Sequence, residues 1–121
     1  MPIINFRTLI KSFTYAARGV KYAFQNGQNF RIQIASACLV ILLMFVFSVT
    51  RNEAIILCLL IVLVLVLELI NTTFEKMVDL LKPRLHHYVE IIKDLMAAMV
   101  LLASLGALIV GLIIFIPHFF Q

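Results

Sequence analysis

Charge is missing from three long stretches of this chain, and that limits its fold more than any other feature. Ile32–Thr50, Ala54–Leu67 and Leu95–Pro117 contain no Asp, Glu, Lys or Arg. A helix that crosses the hydrocarbon core needs roughly 20 apolar residues. Across the 121 residues, 64% are hydrophobic and 13% charged, against about half and a quarter in a soluble domain. The expected fold is therefore an all-α membrane protein with three transmembrane helices. There is room for one domain over 1–121. A chain this small that builds a polar site borrows surface from a second copy, so an oligomer is expected.

The segment before the first span reads differently. Phe6, Leu9, Ile10, Phe13, Ala16, Ala17, Val20 and Phe24 recur at three- and four-residue steps, with Arg7, Lys11, Arg18 and Lys21 between them. This predicts an amphipathic surface helix over 5–24, lying among the headgroups of an anionic leaflet. Gln25–Asn29 reads as a turn or helix break. The spans are predicted at 30–50, 53–81 and 90–117. Arg51-Asn52-Glu53 forms a very short connection between the first two, and Pro83 ends the second. Ala103, Ala107 and Gly111 fall one turn apart on the third, a seam of small residues suited to close helix packing.

The net charge is +4. Its distribution follows the positive-inside rule and not a nucleic-acid footprint. Arg7, Lys11, Arg18, Lys21 and Arg31 precede the first span, and Lys76, Lys82, Arg84 and Lys93 surround the second connection. Arg51 is the one basic residue on the other side. This predicts a multi-pass membrane protein with the N-terminus and the 75–94 region cytoplasmic and the C-terminus outside. Cys38 and Cys58 sit in apolar runs without metal-ligand spacing and read as small hydrophobes. No cleavable signal peptide is expected.

One string stands out against this apolar background: Glu68-Leu69-Ile70-Asn71-Thr72-Thr73-Phe74-Glu75, with Asp79 a turn further on. An acid deep in a hydrophobic helix is costly and marks a functional site by default. Helical spacing puts Glu68, Asn71, Glu75 and Asp79 on one face. Like charges this close require a cation, a proton or a basic partner, and Lys93-Asp94 opens the third span at the same membrane level. Counted from Ala54, Glu68 lies about 21 Å along the second helix and Glu75 about 32 Å, toward the cytoplasmic face of a core ~30 Å thick. Carboxylates plus a lysine at a level that ATP reaches suit magnesium-nucleotide chemistry, with a deeper carboxylate as base for a lipid hydroxyl. No Walker loop or protein-kinase signature is present in the sequence. A proton-coupled transporter is the competing class. It would place its acid nearer the midplane and have no need of Lys93-Asp94.

Glu68-Leu69-Ile70-Asn71-Thr72-x-x-Glu75, Val78-Asp79 and Lys93-Asp94-x-x-Ala97-Ala98-x-Val100-Leu101 together resemble the prokaryotic integral-membrane diacylglycerol kinase family, which includes the undecaprenol kinases. The resemblance covers nearly the whole chain. It implies a trimeric helical bundle, a homotrimer with active sites shared between subunits. The activity it implies is ATP-dependent phosphorylation of a membrane lipid hydroxyl, most readily diacylglycerol to phosphatidic acid, with undecaprenol as the alternative acceptor. It also implies Mg2+ as cofactor and ATP as co-substrate. By position, Glu68 resembles the catalytic base and Asn71 a residue that orients the site. Glu75 resembles the metal and nucleotide ligand. Tyr15, His86, Lys93 and Asp94 resemble nucleotide contacts, the lysine on phosphate. Gly27 stands where the family has a second metal-binding glutamate, Gln33 where a histidine is frequent, and Ile92 where a small residue is usual. With the second metal ligand lost at Gly27, a catalytically degenerate member is the remaining alternative.

Overall fold

The computed structural model describes residues 3–81, Arg84 and 86–121, with His86 described in its backbone alone. Four helices follow one another: α1 (Phe6–Asn26), α2 (Gln28–Val46), α3 (Arg51–Leu81) and α4 (His86–Phe119). Three stretches, Gln28–Val46, Arg51–Leu81 and His87–Phe119, are long and apolar enough to cross a membrane. Pro83, read from the sequence as the terminator of the second span, lies outside the described residues, as do Lys82 and Leu85.

Local chemistry explains most of the helix ends. Asn5 caps α1, its side-chain oxygen accepting from the Arg7 and Thr8 amides at 3.0 and 3.4 Å, as an N-cap asparagine does. The break between α1 and α2 is one residue wide, Gly27, in extended conformation with φ −117°. Its amide donates to the Ala23 carbonyl at 2.8 Å. A Cβ at Gly27 would stand 2.8 Å from that carbonyl oxygen and 3.5 Å from Phe30 Cβ. The junction therefore accommodates glycine and rejects a side chain unless the backbone moves. Gly27→Ala is expected to lower stability by about 1–2 kcal/mol, as overpacking at a fixed backbone contact does, measured by thermal unfolding in detergent.

The connection from α2 to α3 is Phe47–Thr50, slightly earlier than the Arg51-Asn52-Glu53 link expected from charge. Ser48 turns the chain with φ 49°. Thr50 and Glu53 then form a capping box: the Glu53 amide donates to Thr50 Oγ1 at 3.2 Å and the Thr50 amide to Glu53 Oε1 at 3.0 Å. The third span starts at His86, four residues before the expected 90. Pro117 lies inside the last turn of α4, so the helix runs two residues beyond the expected end. The proline has no amide to donate to the Ile113 carbonyl one turn back, so the helix loses one bond there and ends within two residues.

α3 is the spine of the fold. It packs along α4 and against α2, and α1 rests on α2 and α3. Two pairs mark the antiparallel register of α3 and α4. Lys93 Nζ meets Asp79 Oδ1 at 3.1 Å near one end, and His118 Nε2 meets Glu53 Oε1 at 2.9 Å at the other. Phe47 seals the second end, its ring 6.1 to 6.5 Å from those of Phe115, His118 and Phe119. α1 is tied down by Lys76 over the Tyr22 ring at 5.5 Å, a cation–π contact, and by burial of Ala23.

The core is a thin seam of Ala23, Phe30, Leu57, Val78, Val89, Met96 and Ile114, together with one acid, Glu68. Most other apolar side chains face outward, as they must where lipid or neighbouring helices replace water. Among the described residues α2 and α4 do not pack side by side. Between them opens a cavity of about 590 Å³, lined by apolar residues with Asn29, Gln33 and Ser36 toward one end and Ala107 and Gly111 along the far wall. A Cβ at Gly111 would meet nothing within 4 Å, so the small-residue seam is open in the single chain.

Candidate active site

α3 carries the acidic row, and its surroundings differentiate the acids. Glu68 is 5% exposed. Its carboxylate Oε2 accepts a hydrogen bond from Gln33 Nε2 of α2 at 3.3 Å, and its backbone carbonyl accepts from Thr72 Oγ1 at 3.0 Å. Glu75, two turns on and about 10 Å along the axis, is exposed. It accepts from Asn71 Nδ2 at 3.2 Å. One helix face thus presents a buried acid and, two turns toward the C-terminal end of α3, an exposed one, with an amide between them.

Asp79 ends the row and is held by Lys93 across the α3–α4 interface. The predicted basic partner for the acids is therefore real, and Asp79 is the acid it meets. Both side chains are partly exposed, 37% for Lys93 and 50% for Asp79. Such a pair is weak in water-like surroundings, so the ammonium can exchange to a phosphate at little cost. Asp94 is exposed beside Lys93 on α4. Tyr15 lies on α1, exposed, with the Arg18 guanidinium 5.8 Å from its ring centroid. It makes none of the hydrogen bonds that join the acidic row. The His86 side chain lies outside the described residues.

A residue that sequence reasoning passed over as a site residue is Gln33. It counts as uncharged, so it hides inside the first span. Its signal was available all the same: an amide within an apolar helix needs a partner, and here the partner is Glu68. The Glu53–His118 pair was likewise hidden, because it depends on the register of two helices.

Magnesium can be tested against the donors present. Among the described residues no three His, Cys, Asp or Glu side chains come together as a metal cage. Glu75 offers one exposed carboxylate next to the Asn71 amide. That set is too small for an all-protein site, but it suits a magnesium ion that arrives on phosphate oxygens and takes one or two carboxylates.

These features define a multi-pass helical membrane protein with a row of acidic and amide side chains along its second spanning helix. A family model for prokaryotic diacylglycerol kinase matches residues 14–115, and the chain belongs to that family. It is 39% identical over 110 residues to a diacylglycerol kinase of Synechocystis, covering 90% of this chain and 63% of that protein. It is 36% identical over 107 residues to an undecaprenol kinase of Bacillus subtilis, covering 88% and 87%. A diacylglycerol kinase of Escherichia coli is 27% identical over 115 residues, covering 95% and 94%. The chain thus spans somewhat less than two thirds of the Synechocystis relative and most of the other two.

Proposed function

We propose that this protein is an ATP-dependent lipid kinase that converts diacylglycerol to phosphatidic acid. The observation that carries the reading is the pairing of a buried acid, Glu68, with an exposed one, Glu75, two turns apart on one helix. Phosphoryl transfer to a lipid hydroxyl needs both: a base at the depth of the hydroxyl and a metal-nucleotide anchor at the water boundary.

Each residue then has a task. Glu68 takes the proton of the lipid hydroxyl as that oxygen bonds to the γ-phosphorus, and the bond from phosphorus to the bridging oxygen of the nucleoside diphosphate breaks. Asn71 keeps the Glu75 carboxylate turned toward the nucleotide. Glu75 would hold the magnesium carried by ATP, which would supply charge neutralisation on the phosphates. Lys93 leaves Asp79 for a phosphate oxygen, and Asp94, Tyr15 and His86 complete the nucleotide contacts. Positioning and electrostatics carry most of such a reaction.

The protein acts in the bacterial inner membrane, with the N-terminus and the site on the cytoplasmic side. It works as a homotrimer, a reading supported by the outward-facing apolar surface and the open seam at Gly111. Undecaprenol is the second acceptor to consider, because the relative named for it is matched over 87% of its length.

Transfer of labelled γ-phosphate from Mg-ATP in mixed micelles tests the reading, with diacylglycerol and undecaprenol offered separately. Transfer is expected, and the better acceptor identifies the substrate. Failure of both acceptors would overturn the kinase reading in favour of a degenerate member of the family.

A further inference from the structure

Gln33 has an arrangement that the reaction as described leaves unused. Its Nε2 donates to Glu68 Oε2 at 3.3 Å. Its own Oε1 is buried and has no hydrogen-bond partner among the described residues. A buried acceptor left unpaired is costly and calls for an explanation. Gln33 lines the cavity near Asn29 and Ser36 as well as Ile32 and Val40, and none of these side chains bonds its Oε1.

The chemistry of the amide supplies a reason. A carboxylate accepts hydrogen bonds only, whereas a carboxylic acid also donates one. A base that receives a proton therefore changes what it needs from its neighbour. A primary amide carries a donor and an acceptor at its tip, related by a half-turn about its last side-chain bond. It can serve both states of the acid without any movement of the helices.

We propose that Gln33 is a positioning residue for the transfer reaction: its Nε2 holds Glu68 as the carboxylate before the proton arrives, and its Oε1, after the amide turns over, holds Glu68 as the carboxylic acid. The proposal rests on the lipid-kinase reading. In the step itself the O–H bond of the acceptor breaks, its proton passes to Glu68, and the oxygen keeps the electron pair that forms the bond to the γ-phosphorus. The bridging oxygen leaves with the nucleoside diphosphate. Gln33 exchanges no proton. It keeps one carboxyl oxygen committed to α2 in both states, so that the other faces the acceptor hydroxyl throughout.

The test compares wild type, Gln33→Leu and Gln33→His in two measurements. In the transfer assay, Gln33→Leu is expected to lower kcat by about tenfold or more, as loss of orientation at a base does. The KM for the lipid should stay within about twofold, the mark of an interaction made in the transition state. Gln33→His, whose ring offers a donor and an acceptor, should recover most of kcat. An unchanged kcat in Gln33→Leu, a change in KM alone, or a histidine variant no better than leucine would each overturn the proposal. The second measurement is infrared titration of the Glu68 carboxyl bands in lipid micelles, assigned by their loss in Glu68→Gln. Both the carboxylate and the carboxylic acid band should shift in Gln33→Leu, because the amide bonds to each. A shift in one band only, or in neither, overturns the proposal. Absence of transfer by wild type would count against the kinase reading, and the infrared result would still decide the case of Gln33.

Discussion

Glu75→Gln is expected to reduce phosphoryl transfer by at least about a hundredfold, the scale on which loss of a charge-stabilising group acts. Glutamine keeps the size of the side chain and an oxygen that can accept from Asn71 Nδ2, now 3.2 Å from Glu75 Oε1. What it loses is the negative charge. Glu75 is exposed on α3, so the neutral side chain costs the fold little, and the variant should match wild type in thermal unfolding. The loss should appear both in kcat and in the apparent affinity for Mg-ATP, and raised magnesium should recover only part of it. Transfer at the wild-type rate by Glu75→Gln would remove Glu75 from the nucleotide site and leave Asp79 or Asp94 as the anchor.

The severity expected for that effect follows from the absence of acids in the first two helices. No acid precedes Arg51 in the chain, so nothing on α1 or α2 substitutes for Glu75. The junction geometry gives Gly27 a reason of its own, because any Cβ there approaches the Ala23 carbonyl to 2.8 Å. An acid at that position, which the family resemblance implies, would therefore meet a tight α1–α2 turn. Adding it back would strain that turn at the same time as it supplied a ligand.

What the sequence makes legible here, and what it hides, has a physical explanation. Spans are visible because charge is excluded from hydrocarbon, and the three uncharged runs mark α2, α3 and α4. Their ends are harder to see, since Phe47, Ser48, Val49 and Thr50 are uncharged as well. The helix boundary there is drawn by the Thr50–Glu53 capping box and the left-handed Ser48, of which only the capping box has a sequence signature. The acidic row was readable because helical spacing alone puts Glu68, Asn71, Glu75 and Asp79 on one face. Which acid pairs with which partner was not, since that is decided by register between helices. Charge alone leaves open whether Lys93 serves Glu75 or Asp79. The partner of Gln33 is not readable for the same reason, since it lies 35 residues away on another helix.

Glu68→Gln should produce the other large loss, about 10²- to 10⁴-fold in kcat, the range spanned by a positioned general base. The two carboxamides would then face each other, Gln33 and the new glutamine each bringing a donor and an acceptor, so the hydrogen bond between α2 and α3 is retained in altered form. Because Glu68 is 5% exposed, removing its charge relieves a desolvation cost, and the variant should be at least as stable as wild type in detergent. Higher stability with lost activity would separate a catalytic acid from a packing acid. An acid placed for packing alone would leave transfer at the wild-type rate in Glu68→Gln, because the bond to Gln33 survives in altered form. Binding provides the second discriminator. Glu75 lies about 10 Å further along α3, so Glu68→Gln should leave Mg-ATP affinity near that of wild type while transfer falls. If kcat is retained in Glu68→Gln, the base lies elsewhere and the acidic row is a nucleotide site alone.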